Sequence, residues 1–122
     1  MSSLTESLGQ VLAVDGVRAV ALVDIATGMV VRSAGEEGTD FPAAAASMAD
    51  EARLARTALG PDRPGGDLEE ISLMTPARLQ FSKVLASRLG EGMLLFVDLD
   101  RTRVNMALAS LQVGRLARAI LA

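Results

Sequence analysis

Apolar residues recur along the chain with two different periods, which predict helices and strands in the order α-β-β-α-β-β-β-α. Helical spacing of leucine and valine predicts a first helix over residues 3–13, with Ser3 and Glu6 as a capping box. Runs that are apolar on both faces predict strands at 17–24 and 93–99. Because such strands are covered on both sides, we expect them in the middle of a sheet.

Glycine and capping residues delimit the other elements. Gly28 predicts a tight turn after the first strand, since glycine adopts positive φ without steric strain. Asp40 is a suitable N-cap for a central helix, and Gly60 is a suitable end for it. The remaining predicted elements are strands at 29–34, 68–75 and 79–85 and helices at 42–59 and about 102–121.

This order of elements predicts a three-layer α/β/α domain of the α+β type. It lacks the βαβαβ alternation of a doubly wound parallel sheet, and strands joined by hairpins indicate a five-stranded, mainly antiparallel sheet. Two central strands with two apolar faces require helices on both sides of that sheet. We expect residues 1–122 to form a single domain, because domains commonly contain ~100–200 residues.

The composition excludes several classes of chemistry. The chain has no cysteine and no histidine, so disulfides and catalysis by Cys–His or Ser–His pairs are excluded. A zinc site would need carboxylates alone, which is unusual, and we predict neither a metal nor a cofactor. A net charge of −3 and only three aromatic residues disfavour nucleic acid as a partner.

Nothing in the sequence predicts insertion into a membrane. The longest apolar runs are far shorter than the ~18 residues of a membrane span. The N-terminal residues lack the basic start and long apolar stretch of a signal peptide. We therefore expect a cytoplasmic protein.

The motifs that could carry catalysis or nucleotide binding have simpler interpretations. Gly90-x-Gly92 precedes a strand, whereas a dinucleotide fingerprint precedes a helix, so we interpret it as a hairpin turn. The single lysine, Lys83, is not in a phosphate-binding loop, and we interpret it as a residue on or near an exposed strand. Asp98 and Asp100 are interpreted as a solvated strand end.

The charge distribution is uneven along the chain. Residues 36–70 contain nine acids and three bases, while the last segment has several arginines and no acid after Asp100. One interpretation of this asymmetry is that the chain binds a charged partner or a membrane surface. The other is that the arginines stabilise a helix C-terminus and solvate one face of the helix.

The predicted helix at 42–59 is apolar around more of its circumference than one sheet contact requires. Its small residues would allow close approach of a second helix, and we interpret that helix as part of another subunit in a symmetric dimer. The alternative is that the alanines are exposed and present only because alanine favours helices. Arg53 and Arg56 are candidate contacts to a partner, and solvation of the surface is the alternative.

From about residue 4 to 121 the sequence resembles the roadblock/LC7 family. Thr27 departs from the Asp or Asn that usually precedes the turn glycine. The segments that carry the resemblance are the glycine turn and first strand at 14–20, the hairpin at 27–31, the alanine-rich helix at 42–59, the strand at 93–97 and Asn105 at the start of the last helix.

The resemblance implies an antiparallel sheet with the central helix on one face and the terminal helices on the other. It also implies a homodimer with a continuous ten-stranded sheet, paired through the strand at 68–75 and the helix at 42–59. Members of the family are non-catalytic platforms that bind or regulate small Ras-like GTPases, or serve as dynein light chains.

These considerations define the predicted functional residues. Arg53 and Arg56 are predicted to bind a partner, which the resemblance indicates is a small GTPase. A ligand- or signal-sensing module is one alternative, because PAS- and profilin-like domains also surround a five-stranded sheet with helices. A small enzyme is another, and its catalytic groups would have to come from Ser, Thr, carboxylates and Lys83. The predicted dimer-interface residues are Ala45, Met48, Ala49, Ala52, Leu54, Ile71, Leu73 and Met74.

Overall fold

The structure is a computed structural model that describes residues 3–35, 40–60, 67–85 and 92–120. The predicted order of helices and strands is confirmed. The elements are α1 (Leu4–Leu12), β1 (Val17–Asp24), β2 (Val30–Gly35), α2 (Phe41–Leu59), β3 (Glu70–Met74), β4 (Arg78–Leu85), β5 (Met93–Asp100), a 3₁₀ turn (Arg101–Arg103) and α3 (Met106–Ile120).

The five strands form one antiparallel sheet in the order β2-β1-β5-β4-β3. Strands β1 and β5 lie inside the sheet, as their two apolar faces predict. On β1, Val20 and Leu22 point to one side, while Ala21 and Val23 point to the other. Strands β2 and β3 are the two edges.

Helices cover both faces of the sheet and complete the predicted three layers. Helix α2 packs on one face, where Met48 and its buried alanines meet Ala21 and Phe96. Helices α1 and α3 pack on the other face through Leu8 and Val113. The small side chains of α2 bring its backbone close to the β1–β2 turn, where a Cβ on Gly28 would lie 3.4 Å from Ala46 Cα.

Capping side chains fix the starts of the first two helices as predicted. Ser3 Oγ accepts a hydrogen bond from the Glu6 amide at 3.1 Å, and Asp40 Oδ1 accepts one from the Ala43 amide at 3.1 Å. Each bond satisfies an amide that has no partner within its helix. Gly60 ends α2 with a φ of 78°.

The prediction of a continuous last helix from about residue 102 is wrong. Asp100 accepts hydrogen bonds from Thr102, which closes a short 3₁₀ turn, and Val104 is extended. Asn105 then accepts a hydrogen bond from the Leu108 amide at 3.1 Å, so α3 begins one turn later. Local side-chain bonds of Asp and Asn compete with the helical ladder at this junction.

Candidate functional site

Among the described residues β3 is an edge strand with no strand beyond it, and its outer side is a regular row of backbone hydrogen-bonding groups. Strands β3 and β4 pair antiparallel in one unbroken register, from Glu70 opposite Lys83 to Met74 opposite Leu79. The Thr75 amide bonds to the Arg78 carbonyl at 2.9 Å, and the same ladder continues through every second residue. Residues 71 and 73 therefore direct their backbone groups to β4, while residues 70, 72 and 74 direct theirs to the open edge.

Apolar side chains flank this edge on both faces of the sheet. Leu73, on the α2 side, is 44% exposed, and Met74, on the α1–α3 side, is 46% exposed. On α2, Leu54 is 66% exposed. An uncovered edge with apolar side chains is a template for pairing with another strand.

The structure places the predicted dimer-interface residues in two groups. Four of them are at most 2% exposed, because they face the sheet of their own chain. Ile71 is half-buried beneath α2. The exposed members of the predicted set are Leu54, Leu73 and Met74. The four buried residues are Ala45, Met48, Ala49 and Ala52.

The two arginines predicted to bind a partner are held by contacts within the protomer. Arg53 donates to the Ile25 carbonyl and forms an ion pair with Asp50, which fastens α2 to the β1–β2 turn. Arg56 lies 3.3 Å from Asp67, between Nε and Oδ1, and joins the end of α2 to the segment before β3. Both are half-buried rather than fully exposed.

A polar cluster that the sequence did not predict joins β3, β4 and α3. Lys83 Nζ lies 2.6 Å from Glu70 Oε1 and donates to Ser110 Oγ at 2.8 Å. The lysine also lies 5.6 Å from the centre of the Phe81 ring. This cluster borders a cleft of about 380 Å³ beside α3. Lys83 is thus four-fifths buried and paired, whereas the sequence predicted a lysine on or near an exposed strand; its strand, β4, lies between β5 and β3.

The two aspartates at the end of β5 have different environments. Asp98 is 1% exposed and pairs with Arg78, with 3.3 Å between Oδ1 and Nε, so the prediction that it is solvated is wrong. Asp100 accepts hydrogen bonds from the Thr102 hydroxyl at 2.7 Å and amide at 3.0 Å. These bonds stabilise its carboxylate and lower the pKa of Asp100.

The described ranges were compared with the requirements of a metal site and of a membrane-spanning helix. No group of three or more acidic side chains there is arranged to hold a metal ion. No helix there is both long and apolar enough to cross a membrane. Of the predicted Gly90-x-Gly92 turn, Gly90 lies outside the described residues, while Gly92 has a φ of 90° and accepts a hydrogen bond from the Ile25 amide.

Solved structures of roadblock-type proteins share this five-stranded antiparallel sheet with one helix on one face and two on the other. A Roadblock/LC7 domain from Streptomyces avermitilis superposes with a TM-score of 0.79 at 19% identity, over 98% of this chain and 96% of that chain. The gliding protein MglB from Thermus thermophilus gives a TM-score of 0.77 at 19% identity, over 96% of this chain and 84% of that chain.

A further similar structure is an MglB with a tetrameric arrangement, with a TM-score of 0.79, 19% identity and coverage of 96% and 84%. No model of a protein family and no curated protein matches the chain. The three superposed structures confirm that the chain has the roadblock/LC7 fold, as the resemblance in its sequence implies.

Proposed function

We propose that this protein is a non-catalytic, homodimeric adaptor or regulator that binds a small Ras-like GTPase in the cytoplasm. The observation that carries the proposal is the roadblock fold with an open, apolar β3 edge. A sheet edge of this kind requires cover, and a second copy of the same edge supplies it. Soluble oligomers are most commonly symmetric dimers.

In the proposed dimer, two β3 strands pair antiparallel across a two-fold axis. The outward backbone groups of residues 70, 72 and 74 bond to those of the partner, and Leu73 and Met74 become covered. Repulsion between the two Glu70 carboxylates is reduced in this pairing, because each carboxylate forms an ion pair with Lys83 of its own chain. The two sheets would then form one sheet of ten strands.

The proposed GTPase partner is supported by the family resemblance and by the exposed side of α2. Leu54, which the sequence predicts in the dimer interface, is exposed on that side, with Asp50 and Glu51 exposed beside it, and we reassign it to the surface for the GTPase. Arg53 and Arg56 are proposed to contribute mainly by holding α2 in place, since each is already fastened to a neighbouring segment.

Affinity capture with GDP and with a non-hydrolysable GTP analogue tests the partner. The expected result is a small GTPase retained in one nucleotide state only. Leu54→Glu is expected to reduce capture, whereas the matched control Met29→Glu, at a residue 68% exposed on the β1–β2 turn, is expected to retain it. Failure to capture a GTPase in either state would contradict the proposal.

A ligand-sensing module is the second candidate, favoured by the cleft beside α3. That cleft is lined by Glu70, Lys83 and Arg118 and has a volume of about 380 Å³, which is within the usual range for small-molecule sites. A thermal-shift screen with nucleotides and common metabolites tests this candidate. An absence of any shift would leave it without support.

A further inference from the structure

The outward face of α3 carries leucines and arginines in a continuous stripe. Leu108 is 52% exposed and Leu111 is 51% exposed, and Arg115 and Arg118 follow them at helical spacing. Residues spaced by three and four positions lie on one side of a helix. We call the row of Leu108, Leu111, Arg115 and Arg118 the α3 stripe. It is apolar in its first half and basic in its second half.

A groove between α1 and α3 adjoins the α3 stripe. Its volume is about 420 Å³, and its apolar lining residues are Ala13, Val14, Leu108 and Leu116. Its polar lining includes Gln10, Gln112 and Asp15, which lies 3.6 Å from Arg103, between Oδ1 and Nη2. Arg115 lies at its rim. A groove of this shape accepts side chains from a partner helix that lies along α3.

The charge of the stripe is unbalanced. Helix α3, Met106–Ile120, contains two arginines and no acidic residue. Arg115 and Arg118 are exposed and form no ion pair with the part of the chain that the structure describes. A partner with carboxylates opposite the second half of the stripe would complement this charge.

We propose that the α3 stripe binds an acidic amphipathic helix of a partner protein. The stripe extends from Leu108 to Arg118, a distance of about 15 Å at 1.5 Å per residue, which corresponds to about three helical turns. Apolar residues of the partner would contact Leu108 and Leu111 and enter the groove. Its carboxylates would pair with Arg115 and Arg118.

Two other occupants fit these features less well. A second copy of α3 would place four arginines in one interface with no acid on either helix to pair with them. A lipid surface would not fill the groove beside Leu108, whereas side chains of a helix would.

Two synthetic peptides with the same leucine positions and with either glutamate or lysine at the polar positions test this proposal. Fluorescence anisotropy is expected to show at least tenfold tighter binding of the acidic peptide. The double variant Arg115→Glu with Arg118→Glu is expected to reverse this preference, and Leu111→Ser is expected to abolish binding of both peptides. Met29→Ser, at a residue 68% exposed on the β1–β2 turn, is the matched control and is expected to bind as the parent does.

Circular dichroism verifies that each variant is folded. Equal affinities for the two peptides, or no binding of either, would overturn the proposal. Binding to phosphatidylserine vesicles that is lost in the arginine variant, without peptide binding, would assign the stripe to membranes instead. Self-association that Leu111→Ser removes would assign it to a second copy.

Discussion

Replacement of Ser72 by proline tests whether the β3 edge forms the dimer. The alternation of the β3–β4 ladder places the Ser72 amide on the open edge rather than toward β4. Proline removes that amide and is tolerated in strands where the amide would face solvent. The substitution therefore removes a hydrogen bond of the dimer without removing one from the protomer.

The expected size of the effect follows from the two-fold symmetry. Each protomer loses one edge amide, so the dimer loses two hydrogen bonds at roughly 0.5–1.5 kcal/mol each. The dimer is then weakened by about 1–3 kcal/mol, which corresponds to a dissociation constant raised by about 5- to 150-fold. The pyrrolidine ring at the interface would add to this effect.

Sedimentation equilibrium over a range of protein concentrations measures the dissociation constant. Ser72→Ala separates the backbone from the side chain, because it loses only the bond from Ser72 Oγ to Glu70 Oε2 at 3.2 Å, and it is expected to dimerise as the parent does. Leu73→Pro is the contrasting variant, since the Leu73 amide points to β4. It is expected to lower the melting temperature of the protomer itself.

An unchanged dissociation constant for folded Ser72→Pro would refute pairing through this edge. Equal loss of dimer in Ser72→Ala would instead assign the effect to the Ser72 hydroxyl. A parent protein that is monomeric at high micromolar concentration would refute the dimer altogether.

Three further variants test other parts of the structure. Arg78→Ala leaves the buried Asp98 carboxylate unpaired and is expected to destabilise the protomer by about 3 kcal/mol in urea unfolding, more than Asp98→Ala. Gly35→Ala is expected to lower the melting temperature, because φ is 127° and the new Cβ would lie 2.5 Å from a carbonyl oxygen of β1. Thr102→Val removes a hydrogen bond that lowers the pKa of Asp100, so an NMR titration is expected to show that pKa rising toward its ordinary value. The stabilisation from this carboxylate, which is lost as the pH falls through the folded-state pKa, is then smaller, and its loss is complete at a higher pH.

The order of elements could be predicted because it depends on local periods and on caps. Strand β5 is apolar on both faces, and only a central strand satisfies that pattern. Asp40 marks the start of α2 by its own hydrogen bond to the Ala43 amide. The start of α3 was misplaced because Asp100 and Asn105 both offer caps, and sequence alone does not rank them.

The cluster around Lys83 could not be predicted, because it depends on the register between strands distant in sequence. Lys83 meets Glu70 only through the β3–β4 pairing and meets Ser110 only through the packing of α3. Dependence on tertiary packing also explains why Ala45, Ala49 and Ala52, which the sequence predicts in the dimer interface, are buried against the sheet. The composition of α2 shows that it is apolar on several sides, and the packing of the helix decides which side the sheet covers.

The two edges of the sheet are not equivalent, which favours a closed dimer. Strand β2 has an irregular register opposite Leu22 and Val23 of its neighbour β1, and its last residue, Gly35, has a φ of 127°. Arg32 of β2 is also fastened to Thr5 of α1 by a hydrogen bond of 2.7 Å. Irregularities of this kind disfavour edge pairing, whereas β3 keeps one unbroken register over all five of its residues. A chain with two regular edges could extend indefinitely through heterologous contacts, whereas one regular edge pairs with its symmetry mate and stops there.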